Sequence, residues 1–99
     1  MAKGKWGSSS PLRFCCLMPG GAEKTRILIS VPKKYFKRAV KRNLLKRRIR
    51  ESYRLQKDLL GTSAPIDIMF LYNTAELMPF EDIKASVADI LKQVSGWKN

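Results

Sequence analysis

The sequence contains no histidine. The commonest general base and metal ligand is therefore missing. Cysteine is scarce as well: Cys15 and Cys16 are adjacent, and there are no others. Neighbours in a strand point to opposite faces, so these two form neither an ordinary bridge with each other nor a metal site. Such usage suits a reducing, intracellular compartment, and the expected location is cytoplasmic. No apolar run approaches bilayer-spanning length. Met1 to Ser10 lacks the apolar stretch of a secretory signal. Acids are few, with 8 Asp and Glu against 20 Lys and Arg, for a formal charge of +12 over 99 residues. That balance excludes an acidic tail and makes a polyanion the first partner to consider. The length is that of one domain, and 44% hydrophobic residues suffice for one modest core.

The charge is localised. From Lys33 to Lys57 there are twelve Lys and Arg and one acid, Glu51. The rest of the chain carries eight cations and seven acids, so a nearly neutral body holds one basic segment. Residues 1–10 are rich in Lys, Gly and Ser and read as a flexible lead-in to a single domain over 11–96. Leu12 to Leu17 reads as a strand with Leu12, Phe14 and Cys16 on one face. Met18-Pro19-Gly20-Gly21 is a turn signal. Arg26 to Val31 is a second strand with Ile27, Ile29 and Val31 towards the core, expected to pair antiparallel with the first. A helix is predicted from about Phe36 to Lys57, where Gly and Pro are absent. Gly61 and Pro65 bracket a loop, and Ile66 to Tyr72 is a strand with Ile66, Ile68, Phe70 and Tyr72 on one face. A last helix begins near Pro79. Phe80, Ile83, Val87, Ile90, Leu91 and Val94 form its apolar face, and Gly96 ends it. The order β-β-α-β-α is an α+β arrangement, a small sheet packed by helices.

On a wheel of roughly 100° per residue, Leu45, Ile49, Ser52 and Tyr53 share the side of the basic helix that packs on the sheet, with Ala39 at its margin. Asn43, Lys46, Arg47, Arg50, Arg54 and Lys57 form the adjacent stripe. A solvated helix face normally mixes signs in i,i+4 pairs, whereas this one stacks Lys37/Lys41, Arg38/Arg42, Arg42/Lys46, Lys46/Arg50 and Arg50/Arg54. Each like pair costs roughly 0.2–0.5 kcal/mol in an isolated helix. Cations in the first turns also oppose the helix dipole. Phosphate binding would recover that energy through counterion release. Arg outnumbers Lys five to one from Arg42 to Arg54, and its flat fork suits phosphates and bases. Glu51 is placed to pair with Arg47 or Arg54, and Asn43 is read either as a site residue or as a tolerated surface residue.

These residues resemble a known signature. Ser30-Val31-Pro32-Lys33-Lys34, then Ala39-Val40-Lys41-Arg42-Asn43, Lys46-Arg47, Arg50-Glu51 and Arg54 are similar to the Arg-Asn-Arg region of the bacterial ribonuclease P protein component family. The similarity runs from about Gly4 to Val94. Leu44 departs from it, standing where the family has its second Arg. Family members also begin with a further helix that borders a central cleft, and the match here starts after it. The resemblance implies a ribosomal-protein-like two-layer sandwich with a mixed sheet and a left-handed βαβ crossover through the basic helix. It implies a protein subunit of an endoribonuclease, monomeric in its ribonucleoprotein, that binds the ribonuclease P RNA and the 5′ leader of precursor tRNA. The chemistry then belongs to the RNA and to Mg2+ held mainly by it. RNA contacts are implied for Lys33, Lys34, Lys37, Arg38, Lys41, Arg42, Asn43, Lys46, Arg47, Arg50, Arg54 and Lys57. The leader cleft is implied to include Arg13 and Phe14, although Phe14 fits core packing equally well.

No catalytic or metal-binding residue is expected in the protein itself. Asp67, Glu81, Asp82 and Asp89 are scattered singly or sit at a helix start, and no nucleophile is spaced to meet a base. The alternative is a structural RNA-binding protein of ribosomal type, whose basic residues are more often spread into tails and loops. A dimeric basic-helix DNA binder would need leucine heptads after the basic region. Asp58-Leu59-Leu60-Gly61 stops the helix instead. A membrane-surface helix would need a broad exposed apolar face.

Overall fold

The computed structural model describes residues 4–17, 24–60 and 66–96. Strands β1 (Lys5–Ser9), β2 (Leu12–Leu17) and β3 (Arg26–Ser30) precede helix α1 (Ala39–Gln56), which runs into a single 3-10 turn at Lys57–Leu59. Strand β4 (Asp67–Tyr72) and helix α2 (Phe80–Gly96) complete the order. The four strands lie as β1-β2-β4-β3. β1 is antiparallel to β2, β2 is antiparallel to β4, and β3 is parallel to β4. This is the mixed sheet packed by helices that the resemblance implies, here with two helices and with α1 in the parallel connection from β3 to β4. The Met18 to Gly21 turn and the Gly61 to Pro65 loop lie outside the described residues.

Two expectations are corrected. Residues 5–9 are strand β1, not a flexible lead-in. The short Lys-Trp-Gly-Ser-Ser run has little apolar alternation, and tertiary contacts supply what its sequence lacks. Gly7 lies opposite Phe14, and a Cβ there would fall 2.5 Å from the Phe14 ring, so only glycine lets that ring lie across β1. From α2, Ser86 Oγ donates to the Ser9 carbonyl and Gln93 Nε2 donates to that of Ser8.

The second correction concerns pairing. β2 and β3 are not partners, because β4 lies between them, with Phe14 opposite Phe70 and Ile29 beside Phe70. β4 buries Ile68, Phe70 and Tyr72 completely or nearly so, which suits a central strand paired on both edges. β3 exposes Leu28 and only half-buries Ile27 and Ile29, which suits an edge.

The core lies between one sheet face and both helices. Leu12, Phe14, Ile68, Phe70 and Tyr72 meet Leu45 and Ile49 of α1 and Ile83, Val87, Ile90, Leu91 and Val94 of α2. Phe80 is only half-buried, at the first turn of α2. The helices are also tied together: Gln56 Nε2 donates to the Ser52 carbonyl (3.1 Å) and to the Lys84 carbonyl of α2 (3.0 Å). Buried Ser52 is satisfied by donating to the Arg48 carbonyl at 2.7 Å. Both cysteines are buried, and neither is in a disulfide. Burial, then the charges of Cys15 and Asp67, push the Cys16 thiol up from 9.0 to about 11, against a smaller opposing effect of Lys5. It therefore stays protonated and unreactive at neutral pH.

Candidate nucleic-acid interface

α1 starts later than its composition suggests. The backbone turns at Pro32, whose carbonyl accepts from the Tyr35 and Phe36 amides at 3.2 and 3.4 Å. Phe36 is then buried against Tyr72, edge-on, with ring centroids 5.8 Å apart. That anchor holds residues 33–38 as a basic loop, and the helix begins only after Arg38. Its N-terminus has no side-chain cap and no acid in the first turn. Arg42 compensates from within the helix: one guanidinium nitrogen donates to the Phe36 carbonyl at 2.9 Å and to the Lys37 carbonyl at 2.8 Å. Arg42 thus staples the basic loop to α1. The resemblance implies an RNA contact for Arg42, and the geometry gives it this internal task as well.

Lys33, Lys34, Lys37 and Arg38 lie exposed on the loop, with Lys34 Nζ 5.0 Å from the Tyr35 ring centre. Lys41, Asn43, Arg47, Arg50, Arg54 and Lys57 are exposed along α1 and its 3-10 extension, and Lys46 is half-buried beside them. The buried side of α1 is Leu45, Ile49 and Ser52, so the ridge and the core stripe occupy different sides as the wheel requires. Ala39, read as marginal to the core, is exposed. Glu51 pairs with Arg54, one of the two partners expected for it. Arg48 falls outside the ridge and donates to the Met78 carbonyl at 2.6 Å, holding the segment that leads into α2.

Among the described residues, both helices pack on the Phe14 face of the sheet. The opposite face carries Trp6, Arg13, Leu17, Leu28, Met69 and Leu71. Phe14 is 0% exposed and belongs to the core, so its placement in a surface cleft is corrected: strand alternation turns it towards the helices. Arg13 is exposed on the open face, its guanidinium 5.3 Å from the Trp6 ring centre. Trp6 itself escaped the sequence reading because Gly and Ser neighbours hide the alternation of β1. At the far end of this face Arg26 grips Asp67 with two nitrogens at 3.0 and 2.8 Å, and the ion pair raises the Arg26 pKa further. Among the described residues, no group of three or more His, Cys, Asp or Glu could hold a metal ion. No described helix is long and apolar enough to cross a membrane.

Fold and surface together define a two-layer α+β protein with a cationic helix and loop at its surface and, among the described residues, both helices on one face of the sheet. The Ribonuclease P family profile matches residues 2–95, and the chain belongs to that family. It is 38% identical over 80 residues to the ribonuclease P protein component of Porphyromonas gingivalis, covering 76% of this chain and 58% of that protein. It is 36% identical over 80 residues to the Chlorobaculum tepidum protein of the same name, covering 70% and 52%. The chain thus spans little more than half the length of these relatives. Among solved structures, the RNase P protein from Thermotoga maritima superimposes with a TM-score of 0.79 at 23% identity, covering 93% of this chain and 84% of that one. The Staphylococcus aureus RNase P protein gives 0.77 at 28% identity, covering 93% and 82%.

Proposed function

We propose that this protein is the protein subunit of ribonuclease P and acts in the cytoplasm, one copy per ribonucleoprotein. In this reading a single RNA-binding domain binds the catalytic RNA through Lys33, Lys34, Lys37, Arg38, Lys41, Asn43, Lys46, Arg47, Arg50, Arg54 and Lys57, with Arg42 holding loop and helix in register. The open sheet face, with Arg13, receives the unpaired 5′ leader of precursor tRNA. Phosphodiester cleavage is the work of the RNA and the Mg2+ it holds. The observation that carries the proposal is the cationic ridge of α1, which the fold leaves exposed although its like charges weaken the helix. Family membership makes ribonuclease P RNA the fitting polyanion.

The test is cleavage of precursor tRNA by the cognate RNA subunit at low Mg2+, with and without the protein. The protein is expected to stimulate 5′ maturation by the RNA and to cleave nothing alone. Site-specific cleavage by RNA-free, nuclease-free protein would overturn the subunit role. Failure to stimulate the cognate RNA would favour an RNA-binding role outside tRNA processing.

A further inference from the structure

Helix α1 has a third surface besides the core stripe and the cationic ridge. Val40, Leu44, Glu51 and Leu55 stand at i, i+4, i+11 and i+15, within roughly 60° of one another around the helix axis. This lane carries no cation, although it runs along the most basic segment of the chain. Val40 is 79% exposed and Leu55 51%, and Leu44 is half-buried. Glu51, the only acid from Lys33 to Lys57, lies in the lane and is paired with Arg54. Single exposed hydrophobics need no explanation. Here they recur on one line while cations fill the line beside it. Val40 is also a weaker helix former than Ala in the first turn of α1, and at its exposure the core gains little from it. Leu44 stands where the Arg-Asn-Arg signature has its second Arg, so the lane has an apolar residue in place of a charge. Its borders at Val40 and Leu44 are polar: Lys41 lies along one, Asn43 and Arg47 along the other, all exposed. Arg48, next after Lys41 on that side, is occupied by the Met78 carbonyl.

We infer that the first half of α1 seats in the minor groove of a paired segment of RNA, with Val40 and Leu44 packed on riboses and with Lys41 and Arg47 reaching the phosphates of the two strands. The minor groove of double-helical RNA is wide and shallow, and it displays sugars and base edges between two lines of phosphate. An apolar centre between two cationic borders has that profile. A surface made for phosphates alone would carry its cations across the lane, as the ridge does. The cations on both borders make the occupant an anion, and they repel a second copy that carries the same charges. Ribose C–H groups give an aliphatic side chain something to desolvate. The Glu51 carboxylate only accepts hydrogen bonds, so it suits a 2′-hydroxyl and not a phosphate. The inference rests on the reading that α1 binds ribonuclease P RNA, and it adds the form of RNA bound and the residues that fit its shape.

The experiment uses the full chain and its cognate ribonuclease P RNA. Hydroxyl radicals, which attack exposed riboses, map the sugars that the protein covers, and affinity is measured at several salt concentrations. The wild type is expected to protect riboses on two facing strands of a paired segment. Val40→Ala and Leu44→Ala should each lower affinity per folded molecule by about 3- to 10-fold, the loss of one partly buried aliphatic contact. Each should reopen some of those riboses and leave the salt slope unchanged. Val40→Ala should keep or slightly raise the melting temperature. Leu44→Lys adds a cation, yet affinity is expected to fall with no change in slope. Val40→Lys repeats that test at the most exposed position, where folding is not in question. If either lysine variant tightens binding and steepens the slope by about 0.9, the lane faces phosphates and the inference is overturned. If Val40→Ala and Leu44→Ala keep affinity and footprint while Arg50→Ala weakens both, the groove is wrong and the ridge reading stands. If the wild type covers no ribose of the RNA, both fall together. If sedimentation of the RNA-free protein shows a dimer that Val40→Ala abolishes, a second copy covers the lane and the inference is overturned.

Discussion

Ile49 and Arg50 are neighbours in α1 with opposite surroundings. Ile49 is 0% exposed, packed in the core, whereas Arg50 is exposed between Lys46 and Arg54, one turn away on each side. Ile49→Ala removes buried methylenes and leaves a cavity, so it is expected to destabilise the fold by about 2–4 kcal/mol. Arg50→Ala relieves repulsion with both neighbours and should leave the melting temperature unchanged or slightly higher. Its RNA affinity should instead fall by about 1–2 kcal/mol, the loss of one charge-assisted phosphate contact. Melting and RNA titration of both variants in one buffer decide the matter. An unfolded Arg50→Ala with undiminished affinity per folded molecule would make Arg50 structural. The contrast between 49 and 50 is legible from helical period alone. The fate of Arg42 is not, because the two carbonyls it binds belong to a loop whose path depends on where Phe36 is buried.

At the scale of the element, α1 gives up stability at its N-terminus. Arg38 occupies the N-cap position with extended backbone angles and makes no capping bond, and the first turn has no acid to meet the dipole. Arg38→Ser keeps the backbone and offers a hydroxyl to the open amides. It is expected to stabilise the protein by about 0.5–1.5 kcal/mol by denaturant unfolding, while weakening RNA binding through the lost cation. A variant that gained stability with no loss of affinity would remove Arg38 from the interface. The helix boundary itself was misjudged by composition. Lys, Arg and Phe from 36 to 38 are good enough helix formers, but the turn at Pro32 and the burial of Phe36 against Tyr72 hold those residues outside the helix.

For the whole molecule, the charge distribution matters more than any single contact. The basic loop and ridge bring the cations of residues 33–57 other than Arg48 to the surface around α1, with Arg54 beside Glu51 and Arg42 partly occupied by backbone carbonyls. If six to eight of them meet phosphates, log K against log salt should slope at about −4 to −7. Titration of the ribonuclease P RNA at several salt concentrations reads this directly. A nearly flat line would remove the electrostatic account of the interface.

The sequence by itself determined the helix faces, the β2, β3 and β4 segments, the inward residues of β4 and the position of the cationic stripe. Each of these depends on a local period, 2.0 in strands and 3.6 in helices, which side-chain direction imposes wherever the element lies. Only the tertiary structure decided that β4 separates β2 from β3, that residues 5–9 make a strand, and that Phe14 faces the helices while Trp6 and Arg13 share the open face. Strand partners and sheet edges depend on which distant segment buries the most apolar surface at the centre. For β1 the decisive interactions come from Phe14 and from Ser86 and Gln93 of α2, remote in sequence. Such long-range contacts leave no periodic trace in the residues they organise.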